Sequence, residues 1–316
     1  MGIGATTTTG LLSSPRRTAF GFARAAVDYF EGHWRELIPA AVTALLFAWL
    51  FAQPFVTLVR DWWTQPEAGH GLLLAPCAVW LAWRAGLRKD AAPNVGAGLF
   101  ILAIAIVIRC AAGLAAELFT MRGSMVLALM GLTVYHYGVR QVIHWWLPFC
   151  LACLSIPLPE LITQALALPL QFRASRMGAA LLHMRSVPVL LTGNVIRLPG
   201  HELFVTEACS GLRSLTALLS VAVLMSAMIL QTVIGRITLV ALAIPIAIVV
   251  NGFRVFMTGF LVYFVSPSLG KGFMHVTEGW LLFLVSLGSL AIAAGLGLMI
   301  ERRFVSPETA LGASHA

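Results

Sequence analysis

Three polar residues stand apart in an oily chain because of where they fall. Cys209 lies in Glu207-Ala208-Cys209-Ser210-Gly211-Leu212-Arg213, Arg254 in Asn251-Gly252-Phe253-Arg254-Val255, and His275 in His275-Val276-Thr277-Glu278-Gly279-Trp280. Each sits near the end of a long apolar run. A thiol, a fixed cation and an imidazole are the parts of a cysteine acyl-transfer site. The thiolate attacks carbonyls and the thiol does not; a helix N-terminus or a nearby cation lowers the thiol pKa. An imidazole takes the proton and later returns it to the leaving amine. Arginine stays charged at any relevant pH, and its planar fork suits an oxyanion or a carboxylate.

Taken singly, each residue has a plainer reading. A lone cysteine in an apolar helix is usually a small packing residue, and a lone Arg or His at a helix end is commonly an interfacial anchor. An Arg within a membrane span, however, costs several kcal/mol unless paired or hydrated, which marks it for function. The joint occurrence of all three near one face, with Gly211 just past the cysteine, is what sets catalysis beside the plainer readings.

The elements that must position them are membrane helices. The chain has 316 residues, 59% hydrophobic and 11% charged, with mean hydropathy +0.89. Soluble domains carry roughly 25% charge. The net charge of +8 sits largely at the ends of apolar runs, as topology signals do, so nucleic acid is not an expected partner. A helix needs roughly 20 apolar residues to cross the hydrocarbon core. Eight spans are expected: 37–59, 70–86, 95–116, 122–138, 142–158, 209–231, 236–263 and 276–299. The fold class is therefore all-α integral membrane.

Positive residues orient the spans. Arg16, Arg17, Arg24 and Arg35 place the N-terminal arm in the cytoplasm. Alternate connections then hold Arg84, Arg88 and Lys89, next Arg140, next Arg236, and finally Arg302 and Arg303, giving an N-in, C-in arrangement. In this topology Cys209 opens span six at its outer end and His275 opens span eight there. Arg254 lies about 27 Å past Arg236 at 1.5 Å per residue, level with both. The expected organisation is a cytoplasmic arm over 1–34, a transmembrane catalytic domain over 35–303 and a cytoplasmic tail over 304–316.

Residues 159–208 form an outer-face cap in this reading. They begin with an amphipathic stretch bearing Gln171, Arg173, Arg176 and Arg185, suited to an interface. The β-branched run around Gly193-Asn194 reads as a small hairpin leading into Cys209. The five cysteines, Cys77, Cys110, Cys150, Cys153 and Cys209, are odd in number and irregular, which is no disulfide framework. Cys150-Leu-Ala-Cys153 lacks a second ligand pair and reads as packing; no metal or cofactor is expected. Met1-Gly2 with Thr6, and Arg16-Arg17, match myristoylation and twin-arginine patterns only formally.

At the chemical residues the chain resembles the exosortase family of bacterial integral-membrane cysteine transpeptidases. The closest matches are Ala208-Cys209-Ser210-Gly211-Leu212-Arg213-Ser214-Leu215, Asn251-Gly252-Phe253-Arg254-Val255 and the His275 segment. Also similar are His70-Gly71-Leu72-Leu73 with Trp80-Leu81-Ala82-Trp83-Arg84, Ile156-Pro157-Leu158-Pro159, and the stretch from Gly193-Asn194 to Leu198-Pro199-Gly200. The resemblance spans nearly all of 35–303. It implies secreted substrates that carry a short motif such as Pro-Glu-Pro, one transmembrane helix and a basic cluster. It further implies cleavage near that motif on the periplasmic side of the inner membrane, often alongside exopolysaccharide production. By the resemblance Cys209 is the nucleophile, Arg254 the electrostatic stabiliser and His275 the general acid/base. The extra C-terminal domain of some members is not expected after Arg303.

Supporting roles stay open. Arg254 or Arg213 would suit an acidic motif residue, although Arg213 would equally hold the helix end. Glu207 and Glu278 are rival partners for His275, with Glu207 also suited to Arg254. Ser210 neighbours the nucleophile, and Asn251 lies one turn before Arg254. His70 and Trp80 read as structural. The acyl acceptor is open among water, an amine, a lipid and a glycan. Two other classes compete: a transporter or flippase, which Arg109 partly fits, and a membrane acyltransferase acting on lipid or polysaccharide.

Overall fold

The computed structural model describes the backbone of residues 15–65, 67–205, 211–266 and 273–304, and side chains within 38–65, 67–205, 211–266 and 280–303. Two compact units divide the chain, residues 1–53 and 54–316. The first contains most of helix α1 (Pro15–Thr64), where Thr43 Oγ1 donates to the Pro39 carbonyl at 2.8 Å and the rings of Phe47 and Phe51 lie 4.8 Å apart.

The second unit is mainly helical. Long apolar runs produce α3 (Val95–Leu114), α4 (Leu118–Tyr137), α8 (Leu212–Ile229), α9 (Val233–Phe264), which continues through Pro245, and α10 (Phe273–Phe304). Together with Ile38–Thr64 of α1, these supply six described helices long and apolar enough to cross a membrane. They coincide with six of the eight expected spans. The second expected span is α2 (Gly71–Ala85), 15 residues with Pro76 inside. The fifth is divided into α5 (Val139–His144) and α6 (Trp146–Leu154). Pro148 explains the division, because it has no N–H for the carbonyl of His144 four residues back.

That break is used to close the end of α2. Gln141, fully buried, donates from Nε2 to the Gly86 carbonyl at 3.1 Å and accepts from the Arg88 N–H at 2.9 Å. Trp145 Nε1 donates to the same carbonyl at 3.0 Å, and His144 Nε2 lies 3.2 Å from the Ala85 carbonyl. The last carbonyls of a helix have no partner within it, and here α5 meets them.

Two apolar cores frame the region of interest. Leu218, Ala222, Leu239, Ala243, Leu290 and Ala294 bind α8, α9 and α10 into a three-helix core. The other core joins the far end of α9 to α7 (Glu160–Met184) and a small sheet, through Ala174, Leu182, Ile196, Leu198, Val255, Phe256 and Val262. The expected amphipathic stretch is thus a helix whose small-residue face is buried by protein. Where Met177 meets Gly252, Gly178 meets Val255 and Leu182 meets Gly259, any added Cβ on the glycines would collide. The two helices run in the same direction over this contact. Such small residues are what let helix backbones approach closely.

The expected hairpin is present, and a third strand extends it. Strands β1 (Leu190–Thr192), β2 (Val195–Leu198) and β3 (His201–Phe204) form an antiparallel sheet in that order. Val195 pairs with Thr192 on one side and Phe204 on the other. Gly193 and Gly200 make the two turns with φ of 63° and 77°, a conformation glycine adopts without steric cost. Asn194 ties the sheet to α7, its Nδ2 reaching Gln171 Oε1 at 3.3 Å and the Val205 carbonyl at 3.1 Å.

Candidate active site

Helix α8 begins at Leu212, not at Cys209 as the expected span had it, and Gly211 is its cap residue with φ 78° and ψ 2°. The Leu215 N–H bonds to the Gly211 carbonyl at 2.8 Å, closing the first turn. A Cβ at position 211 would lie 2.5 Å from Asn251 Cγ. Glycine is therefore required twice, for the left-handed backbone and for the close approach to α9.

Asn251 is buried, 7% exposed. One turn further along α9, Arg254 is half-buried, and its carbonyl accepts from Thr258 Oγ1 at 3.0 Å. At 1.5 Å per residue, the 32 residues of α9 span about 48 Å, well beyond a hydrocarbon core of about 30 Å. The surplus after Arg254 is not bare: Val255, Phe256 and Val262 enter the core shared with α7 and the sheet. A narrow cleft with room for about one water molecule opens beside Gly211 and Asn251 and is otherwise apolar, walled by Leu170, Leu215, Ala247 and Ile248.

Arg213, exposed in the first turn of α8, donates from Nη2 to Glu67 Oε1 at 2.9 Å. Burial works against ionisation of the Glu67 carboxyl, but the Arg213 hydrogen bond, a hydrogen bond from its own backbone N–H and the Arg213 charge together hold the pKa below the usual glutamate value. Glu67 belongs to the corner between α1 and α2, which has several other ties. Asp61 pairs with the buried Arg122 of α4 at 2.6 Å, and Trp62 Nε1 donates to the Ser155 carbonyl at 2.7 Å. His70 Nε2 lies 3.2 Å from the Leu154 carbonyl at the end of α6, in keeping with a structural role. Trp80 packs under the Arg84 guanidinium, 5.3 Å from ring to Cζ.

The site residues expected from sequence divide by location. Gly211 and Asn251 meet where α8 packs on α9; Arg254 lies one turn beyond Asn251 on α9, and Arg213 follows Gly211 but turns to Glu67. Glu207, Cys209 and Ser210 lie outside the described residues. The backbone of His275 is in the first turn of α10 and that of Glu278 follows it, but their side chains too lie outside the described residues. Sequence reasoning missed Glu67, and its only signal was an acidic residue in a short loop beside a longer run of similarity at His70. Nothing local links it to an arginine 146 positions away. Among the described residues no three His, Cys, Asp or Glu side chains gather as metal ligands. Cys77, Cys110, Cys150 and Cys153 are free thiols.

Chemically, the arrangement presents a helix N-terminus without an acidic residue in its first turn, facing a carboxamide and close in sequence to a guanidinium. Both the helix end and the cation favour an anion. Comparison with curated proteins and with solved structures yields no match. The family model for transmembrane exosortases matches residues 62–292, from the Trp62 corner through most of α10. That stretch contains the α8–α9 junction, the sheet and five of the six long apolar helices wholly or in large part. The protein is a multi-pass membrane protein, and the chain belongs to the transmembrane exosortase family.

Proposed function

We propose that the protein is a membrane cysteine transpeptidase that cleaves C-terminal sorting signals on secreted proteins. The reaction takes place at the periplasmic face of the bacterial inner membrane, in cells that make exopolysaccharide. The observation that carries this reading is the contact of Gly211 with Asn251. It brings the start of α8, two residues after Cys209, against the turn of α9 that precedes Arg254.

In this mechanism Cys209 gives its proton to His275, and the thiolate sulfur attacks the scissile carbonyl carbon. The negative charge that develops on the carbonyl oxygen is met by Arg254 and by the positive end of α8. The C–N bond breaks, His275 returns the proton to the leaving amine, and an S-acyl enzyme remains. An acceptor amine or water then attacks the thioester, its proton passing to His275 and from there to the departing sulfur. Atoms and charge balance without a cofactor. Asn251 holds the substrate main chain or the Arg254 fork, while Glu207, Ser210 and Glu278 support the imidazole and the nucleophile. The arm over 1–34 and the tail over 304–316 are cytoplasmic, as the arginine distribution favours.

The test is a secreted reporter ending in a cognate motif, a transmembrane helix and a basic cluster, expressed with wild-type protein or with Cys209→Ser. The tail should be lost only with wild type, and the mass of the new end separates hydrolysis from transfer. Full processing by Cys209→Ser would sink the mechanism.

A further inference from the structure

Arg213 sits next to the proposed chemistry, and its sequence context allows either substrate binding or a hold on the helix. In the structure it has a partner within the chain. Its guanidinium meets Glu67 at 2.9 Å, and the corner that bears Glu67 is fastened to two further helices. Asp61 holds Arg122 of α4, while Trp62 and His70 hold the carbonyls of Ser155 and Leu154 at the end of α6. Gly71 lies against the Trp62 ring with no room for a Cβ. Arg213 is thus attached to a stiff fixture, while Gly211 bears on Asn251 from the side of α9. The start of α8 is held from two directions, and Cys209 is two residues upstream of it.

We infer that Glu67 is a positioning residue for the reaction, acting through Arg213 to set the first turn of α8 against Asn251 and Arg254. The inference rests on the cysteine mechanism proposed above. Glu67 reaches no reacting atom; its effect is on geometry. Both members of the pair are about half exposed, and exposed pairs are worth up to about 1 kcal/mol, which sets the effect at about three- to fivefold. Were Arg213 instead a receptor for an acidic substrate residue, Glu67 would compete with substrate, and its removal would raise kcat/KM.

The experiment uses the full chain in membranes with Cys209 as its only cysteine, through Cys77→Ala, Cys110→Ala, Cys150→Ala and Cys153→Ala. Glu67→Gln, Arg213→Gln and the double variant Glu67→Gln with Arg213→Gln are compared for reporter processing and for the rate of Cys209 alkylation by a maleimide. Glu67→Gln should lower kcat about three- to fivefold with KM unchanged and slow alkylation by a similar factor. The double variant should be no slower than Arg213→Gln alone, because Glu67 acts only through Arg213. Processing by Glu67→Gln at or above the wild-type rate, or a double variant as slow as the product of the two single losses, overturns the inference. If wild type itself leaves the reporter intact, the mechanism fails, and alkylation decides about Glu67. Slower labelling by Glu67→Gln that adds nothing to the Arg213→Gln effect supports its positioning role, and equal or faster labelling overturns it.

Discussion

Two helices that pack against each other, α8 and α9, begin in opposite ways. The start of α9 is closed by side chains. Thr232 Oγ1 accepts from the Gly235 N–H at 3.0 Å, and the carboxylate of the buried Glu301 accepts from the N–H groups of Gln231 at 2.8 Å and Thr232 at 3.1 Å, and from the Thr232 hydroxyl. The start of α8 has a glycine where α9 has a threonine, so its cap residue has no side chain to offer, and there is no acid in the first turn. A carboxylate at a helix N-terminus offsets the positive end of the macrodipole. Among the described residues, the start of α9 has this neutralisation and the start of α8 does not. The difference separates an end closed by a carboxylate from an end entered through a glycine, and the glycine end is the one that follows Cys209.

That contrast can be broken at its glycine first. Gly211→Ala adds a Cβ 2.5 Å from Asn251 Cγ at a φ of 78°. The left-handed backbone costs about 1–2 kcal/mol for an L-residue, and the collision displaces the helix start. A misplacement of about 1 Å at a catalytic centre costs on the order of 100-fold. Reporter processing by this variant should fall by about that factor with the protein still inserted; near-normal turnover would show that the approach to Asn251 is irrelevant to the chemistry.

A milder change makes α8 resemble α9. Ser214→Asp places a carboxylate in the first turn of α8, where none stands. Such a charge is worth about 0.3–1 kcal/mol at a helix end, so the Cys209 thiolate should become about two- to fivefold scarcer at neutral pH. The maleimide labelling rate measured against pH would show its midpoint moving upward, whereas an unmoved midpoint would separate the thiol from the α8 dipole.

The smallest effect on processing belongs to the capped helix. Glu301→Gln weakens hydrogen bonds at the start of α9, and bonds to a charged group are worth about 1.5–3 kcal/mol. Thermal unfolding in detergent should shift to lower temperature, while processing per folded molecule stays at the wild-type level. A loss of turnover without a loss of stability would mean that α9 transmits strain to Arg254, and the two helix starts would no longer differ in purpose.

Some of this could be read directly from the chain. Apolar runs of helix-spanning length predicted α3, α4, α8, α9 and α10 to within a few residues at most ends, because in lipid only a self-satisfied backbone is tolerated over such lengths. Gly193-Asn194 marked the first turn of the sheet, since left-handed backbone is a local property, whereas the second turn at Gly200 and the third strand emerged only in the fold. The division of span five was less plain, although Pro148 supplies its reason. At the site, Asn251 and Arg254 were legible as one-turn neighbours, because helical periodicity fixes that relation. Glu67 was not, because an ion pair across 146 positions leaves no local trace.

By itself the sequence determined that the chain crosses a membrane repeatedly, which residue types are available for chemistry, and, through three motifs in order, the family. Those are properties of composition and of short spacings, where hydrophobic transfer and helical periodicity act residue by residue. Only the tertiary structure decided that Gly211 rests on Asn251, that α7 closes over the last turns of α9 from Gly252 onward, and that Arg213 is tied to Glu67. Each depends on which helix faces meet. Packing between helices is chosen by shape over the whole bundle, with small residues at the points of closest approach, and no single segment encodes that choice.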